Sequence, residues 1–339
     1  MTKRNAVLWL VVVAALVAIV VVFRNKVQFD WAMFMRQLRF VSLGHVVAGI
    51  LLIYLAFVVR AARWSVFLAP TKKVSAISLI GSQYIGFAAV ALFGRLADLT
   101  RPYLVARRVG LSLSSQIAVY TIERMFDLGA AAIIFSSALA FTPKDLPHHE
   151  IFVRAGVVRV AGGAVAKFTR AVLQPLSKPL AESIATKIIG FRDGLNVIAS
   201  KRDFVLAVVL SLSMWGMIGG AYQQALHSFT NTPELATLSF SRTMLLMAAS
   251  IGGSLIQLPI IGWFTQIAVS AAAMHAFYGA PIEAATACAA VLLLVTWLCV
   301  IPPGLIYARV EHVSLKKVAA ESEAAGKETE IPVGEADHG

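Results

Sequence analysis

From Ala6 to Phe23 the chain runs eighteen residues without a charged side chain. An α-helix rises 1.5 Å per residue, so about 20 apolar residues cross the roughly 30 Å hydrocarbon core of a bilayer. Comparable apolar windows recur along the chain, which is 58% hydrophobic and only 14% charged, with a mean hydropathy of +0.77. A soluble domain, about a quarter charged, could not hide that much apolar surface. Inside a bilayer each spanning segment must bond its own backbone polar groups. The expected fold class is therefore all-α, a polytopic integral membrane helical bundle. Ala6–Phe23 follows a basic Thr2-Lys3-Arg4, as a signal peptide would, but it exceeds a usual apolar region and no small-x-small cleavage site follows Phe23. It is read as a retained first span.

The net charge is +12 and the pI is near 10.0. In a soluble chain this would suggest nucleic acid, but Lys and Arg fall between the apolar stretches, as membrane topology and anionic headgroups require. The implied partners are membrane lipids, anionic phospholipid above all, and no nucleic acid. Cys288 and Cys299 lie eleven positions apart in one expected helix, about 16 Å along its axis and beyond the reach of a disulfide. With no CxxC and no Cys/His cluster, no metal site and no cofactor is expected.

Positive charge sets the orientation, and the simplest arrangement starts with Lys3 and Arg4 inside. A second span, about Leu43–Val59, returns to Arg60-Ala-Ala-Arg63-Trp64 and Lys72-Lys73. That segment is read as cytoplasmic, with Arg60, Arg63 and Trp64 as interfacial anchors. Ile77–Phe93 leads to Arg95, Arg101, Arg107 and Arg108, also inside by the same rule. One crossing cannot join two inside segments, so Ile77–Leu111 is drawn as a re-entrant or broken helix pair interrupted at Gly94 and Pro102. Two plain spans with tolerated outer positives are the alternative. Gln116–Phe141 goes out, Lys144–Glu150 turns, and Ile151–Val165 returns.

The basic connection 169–203 carries Leu180, Ile184, Ile188, Phe191, Leu195 and Ile198 at helical steps, an amphipathic cytoplasmic linker. Phe204–Leu226 then crosses outward. Thr243–Leu258 and Gln266–Tyr278 flank a break at Pro259 and Gly262, and Ala284–Tyr307 ends inside. The expectation is a transmembrane domain over 1–312, with a first half 1–168 and a second half 204–312. A disordered cytoplasmic tail, 313–339, follows. The halves form two inverted units, each with an interrupted pair, an arrangement common in transporters. Both termini are expected in the cytoplasm.

The stretch Gly94–Tyr103 sets Asp98 between Arg95 and Arg101 at three-residue steps, one side of a continuous helix. Tyr120, Glu123, Arg124 and Asp127 follow inside an apolar run. Ionisable groups at such depth are costly, and they pair or line a wet cavity. On one reading Arg95, Arg101 and Arg124 receive a lipid phosphate, while Asp98, Glu123 and Asp127 neutralise the empty site or hold a cationic headgroup. On the other, these charges are a salt-bridge network that fixes helix register. No Ser/His/Asp set, GxSxG elbow, phosphate-cradling loop or Asp-x-Asp pair is present, so no catalytic residue is assigned and a transporter is favoured over an enzyme. Trp9, Trp215 and Trp297 are read as packing or belt residues, and His45, His227 and His275 receive no role.

Arg60-Ala-Ala-Arg63-Trp64, Gly94-Arg-Leu-Ala-Asp98-Leu-Thr-Arg101-Pro-Tyr103 and Glu123-Arg124-Met-Phe-Asp127 together resemble the integral membrane region of lysylphosphatidylglycerol synthases. The likeness continues in Leu258-Pro259-Ile-Ile-Gly262-Trp-Phe-Thr-Gln266 and spans roughly Ala6–Tyr307. It implies the flippase-like region for a modified phospholipid, without the soluble aminoacyl transferase. This chain departs from the family pattern at Phe93, where Pro is usual, at Asp98, where Glu is usual, and at Gln266, which replaces an acid. The expectation is a lipid translocase of the bacterial inner membrane, with Gln266 among the headgroup-binding residues. A membrane-embedded transferase on a lipid-linked substrate and a non-catalytic scaffold are the alternatives. A separate lipid-modifying enzyme and a homo-oligomer are partners left open.

Overall fold

The computed structural model describes residues 29–141, 200–253 and 261–330. Expectations for Ala6–Phe23, Lys144–Glu150, Ile151–Val165, most of the 169–203 linker, Pro259 and 331–339 lie outside these residues. Among the described residues the chain is helical and no strand occurs. The elements are α1 (Trp31–Arg39), α2 (Leu43–Leu68), α3 (Ala76–Phe93), a 3-10 turn (Gly94–Ala97), α4 (Thr100–Val109) and α5 (Leu113–Ala140). After residue 200 come α6 (Lys201–His227), α7 (Pro233–Ala236), α8 (Phe240–Gly253), α9 (Ile261–Tyr278) and α10 (Ile282–Thr296). A 3-10 turn (Leu298–Val300), α11 (Ile301–Val310) and α12 (Leu315–Glu330) complete the order.

Among the described residues, four segments are long and apolar enough to cross a membrane: α2, α3, α6 and Ile282–Val310. A fifth helix, α5, has 28 residues but carries Glu123, Arg124 and Asp127 near its middle. Helix α2 shows the polarity of a lipid-facing element. Leu43, Val47, Leu51, Leu55 and Val58 are exposed at helical steps, while Val46, Ile53, Ala56, Phe57, Arg60, Arg63 and Trp64 are buried. The outward face is apolar and the inward face holds the charges, the reverse of a soluble helix.

The two halves interlock. α2 packs along α6, both touch α10, α3 packs on α11, and α5 lies against α6 and α8. Small residues let α10 approach closely, since Ala284, Ala285, Ala287, Cys288 and Ala289 are all buried. Tyr84 stacks between Phe57 at 4.8 Å and Tyr307 at 5.8 Å, tying α3 to α2 and α11. Tyr54 adds a hydrogen bond from its hydroxyl to the Cys299 carbonyl at 2.9 Å.

Three expectations are corrected. The second span does not stop at Val59, because α2 continues to Leu68 and ends just before Pro70. Arg60, Arg63 and Trp64 are therefore interior residues, 8%, 0% and 1% exposed, and not interfacial anchors. The break after α3 occurs at Gly94, whose φ of 73° suits glycine, but Pro102 sits in the first turn of α4, where its missing N–H is an orphan anyway. The third correction concerns the tail, where residues 315–330 form α12 where disorder was expected. Leu315 and Val318, three apart, bury against the cluster of Ala97 and Leu104, and Glu321 accepts a hydrogen bond from the Tyr103 hydroxyl at 3.1 Å. Composition hid this helix because Ala, Glu and Lys, rich in the tail, are also strong helix formers.

Candidate headgroup site

Arg60 and Arg63 stand three apart on α2, and Glu123 and Asp127 four apart on α5, so each pair shares one helix face. The faces oppose one another. Glu123 Oε1 accepts from Arg63 Nη2 at 2.7 Å and from Arg60 Nη1 at 3.1 Å. Its Oε2 lies 2.6 Å from Arg101 Nη2 and 3.3 Å from Arg124 Nη2. Asp127 binds Arg63 Nη1 at 2.6 Å and Arg124 Nη2 at 3.0 Å, with Arg60 Nη1 3.7 Å away.

Arg101 arrives from α4, and Gly86 on α3 lets it in. A Cβ at position 86 would stand 2.6 Å from the Arg101 Cβ and 3.0 Å from its Cα. The guanidinium then lies 4.7 Å from the Trp64 ring and 5.0 Å from both Phe87 and Tyr120, a stacking environment suited to planar Arg. Gln83 accepts from Arg101 Nη1 at 3.2 Å, and Gln116 accepts from Trp64 Nε1 at 3.2 Å.

The four guanidiniums are not equivalent. Arg63 is wholly buried and engaged through both terminal nitrogens, giving a further hydrogen bond from Nη1 to Ser211 on α6 at 2.7 Å, while its Nε has no partner. The Arg124 side chain is 36% exposed, and its Nε has no hydrogen-bond partner. Arg60, Arg101, Arg124, Tyr120, Asp98 and Asp127 line one side of a cavity of about 310 Å³, at the lower end of small-ligand pockets. The other side belongs to the second half and includes Trp215, Tyr222, Ser250, Gln266 and Trp297. Tyr222, Ser250 and Gln266 are neighbouring polar residues on this side, and Ser250 is hydrogen-bonded to Ser270 at 2.8 Å.

The structure thus gathers Asp98, Arg101, Tyr120, Arg124, Asp127 and Gln266 around one cavity, with Glu123 directly behind. Arg95 lies in the 3-10 turn, and its side chain is outside the described set. The continuous helix imagined through Arg95, Asp98 and Arg101 does not exist, because the 3-10 turn and the turn at 98–99 precede α4. The buried carboxylate that Arg101 pairs with is Glu123. Sequence reasoning missed Arg60, Arg63, Gln83, Ser211, Tyr222 and Ser250 as site residues. For the first two a signal existed: they continue the stripe of Val46, Gly49, Ile53 and Ala56 at steps of three and four, and no helix breaker intervenes before Pro70. Trp215 and Trp297, read as packing residues, stand at the cavity as well.

Four arginines face two carboxylates in the cluster, and Asp98 is the third acid on the cavity wall. Among the described residues no group of His, Cys, Asp and Glu is disposed to hold a metal ion. The family model described as the lysylphosphatidylglycerol synthase TM region matches residues 7–304. No curated protein matches the chain significantly.

Proposed function

The chain belongs to the lysylphosphatidylglycerol synthase transmembrane-region family, a multi-pass membrane protein of a lipid-handling family, and from that premise we propose that it is a lipid translocase. It moves an anionic lipid between the leaflets of the bacterial inner membrane, receiving the headgroup phosphate at Arg124, with Arg60 and Arg101 flanking it.

The observation that carries this reading is the surplus of guanidinium over carboxylate in an enclosed cluster that opens on a cavity. A network built only to fix register would balance its charges, since uncompensated charge within a membrane is expensive. An arriving phosphate restores the balance and suits the bidentate geometry of arginine. Inverted, alternately opening halves are the natural mechanical frame for such a site, and the cavity between the two halves is consistent with it.

Reconstitution into phosphatidylcholine vesicles with a fluorescent anionic phospholipid tests the reading. The wild-type protein should speed transbilayer exchange well beyond that of empty vesicles. Arg124→Gln should slow it roughly ten- to a hundredfold, the equivalent of a charged hydrogen bond worth about 1.5–3 kcal/mol. Exchange no faster than in empty vesicles would refute it. Product formation from a nucleotide-sugar or aminoacyl donor without lipid exchange would move the chain to the transferase reading.

A further inference from the structure

The two ends of the bundle differ in charge. The start of α2 meets the end of α6, where the Ser42 N–H donates to the Ser228 carbonyl at 2.8 Å. The start of α8 joins them, because the Tyr278 hydroxyl donates to the Arg242 carbonyl at 2.8 Å and His227 bonds the Leu238 carbonyl at 3.1 Å. The opposite end is the basic one, where Lys72 donates to the Val109 carbonyl at 2.6 Å and Arg108 pairs with Glu311 at 2.8 Å, beside Arg107, Arg309 and Lys317. Helix α1 lies at the first end, yet it brings two exposed arginines, Arg36 and Arg39, and contributes no residue to the cavity. We propose that α1 is an interfacial helix that binds anionic phospholipid of the leaflet at that end, with Arg36 and Arg39 on the phosphates and Trp31 and Met35 at the boundary of the acyl chains.

A helix of nine residues is marginal by itself, and α1 is held by its neighbours. Asp30 caps it, accepting from the Ala32 and Met33 N–H groups at 2.8 and 3.0 Å, while its own N–H donates to Glu283 of α10 at 3.2 Å. Phe34 and Leu38, one turn apart, pack against the buried core, and Gln37 accepts from the Thr232 hydroxyl at 3.3 Å. These ties fix the rotation of the helix. Trp31 and Met35, also one turn apart, come next around the cylinder and are 67% and 54% exposed. Arg39 and Arg36 follow them, on the side turned away from the protein.

The position of α1 in the bundle says what covers that face. Leu43, Val47, Leu51 and Leu55 form the exposed apolar stripe of α2, and exposed Phe40 carries it on towards α1. Trp31 and Met35 therefore stand where the lipid-facing surface ends, the depth at which indoles collect and amphipathic helices lie in the plane of the membrane. Arg36 and Arg39 pair with no acid among the described residues. Positive charge at this end runs against the bias that places Lys and Arg at the other. Phosphate oxygens of anionic lipid supply the missing partner and suit the guanidinium fork. An acidic soluble protein would complement the arginines, but not an apolar pair that continues the lipid-facing stripe of α2.

The test uses the full chain with Met35→Cys carrying a fluorescent label, in phosphatidylcholine vesicles. Cys288 and Cys299 are 0% and 6% exposed and stay unlabelled in the folded protein. Quenching of the label by nitroxide-bearing phosphatidylserine is compared with quenching by nitroxide-bearing phosphatidylcholine. The anionic lipid should be enriched about fivefold around the label, equivalent to about 1 kcal/mol, and high salt should reduce the enrichment. Arg36→Gln combined with Arg39→Gln should bring the ratio to about one, whereas Arg36→Lys combined with Arg39→Lys should keep most of it. Equal quenching by the two lipids with both arginines present would overturn the proposal. So would an absence of quenching by either, which would place α1 in water or against another protein. Should the label at position 35 disturb folding, Phe40→Cys reads the same layer. The measurement needs no lipid exchange, so its outcome is separate from that of the translocase reading.

Discussion

Replacing Arg63 by methionine separates what holds the charge cluster together from what it offers to a ligand. Arg63 is fully buried and makes three short contacts, to Glu123 at 2.7 Å, Asp127 at 2.6 Å and Ser211 at 2.7 Å. Removing one partner of a buried ion pair costs about 3–5 kcal/mol. Glu123 keeps Arg60 and Arg101, and Asp127 keeps Arg124, so the loss belongs at the lower end, about 3 kcal/mol. At about 2 °C per kcal/mol for a chain of this size, the melting midpoint should fall about 6 °C. Arg124→Gln removes pairs from a side chain that is 36% exposed. Screened pairs of that kind contribute about 1 kcal/mol or less, so its midpoint should fall about 2 °C. The assays are thermal unfolding in detergent, followed by intrinsic fluorescence, and lipid exchange per folded molecule in vesicles. Arg63→Met should be the less stable protein and retain most of its transport, whereas Arg124→Gln should be the reverse. Equal losses of stability and transport in the two variants would show that the guanidiniums act as one structural network, and the division of labour argued here would be wrong.

Gly86→Ala should press on the Arg101 backbone, where the new Cβ would meet it at 2.6–3.0 Å. An overpacking penalty of about 1–3 kcal/mol is expected, with slowed lipid exchange, measured by melting and by the vesicle assay. Truncation after His312 removes α12 and the Tyr103–Glu321 hydrogen bond. Hydrogen exchange in residues 94–109 should then quicken, and unchanged protection there would show that α12 does not brace the break. Cys288 and Cys299 are 0% and 6% exposed, so a maleimide should label neither in the folded protein and both after denaturation, with no internal disulfide detected by mass spectrometry.

Hydropathy and the Glu-Arg-x-x-Asp element made the fold class and half of the site legible in the sequence. Apolar length is a local property, and Glu123, Arg124 and Asp127 announce themselves because nothing around them is charged. Arg60 and Arg63 were misplaced for a physical reason: a positive residue after an apolar run ordinarily marks the membrane surface. Only the carboxylates 60 to 64 positions away explain why these two stay inside. Arg95, Asp98 and Arg101 failed in the opposite way. Their regular spacing suggests one helix, but Gly94 opens a turn that assigns Asp98 and Arg101 to different elements. Tyr222, Ser250 and Trp215 carry no local signal, since their importance arises from facing the charged half across a cavity. The short helix α12 shows that an Ala/Glu/Lys-rich segment is ambiguous until Leu315 and Val318 find an apolar surface.

The separation of Arg60 and Arg63 from their carboxylates also bears on how the protein is made. Helix α2 leaves the ribosome first, bearing two arginines that each oppose entry into lipid by about 2.5–3.5 kcal/mol near the centre of a span. The acids that neutralise them are synthesised 60 to 64 residues later. Helix α5 has the mirror-image difficulty, with two acids and only Arg124 of its own. Helix α2 is apolar enough to cross by itself, whereas α5 is not among the segments that are. Helix α5 is therefore expected to enter lipid paired with α2, already neutralised, and equal insertion of α5 without α2 would refute this.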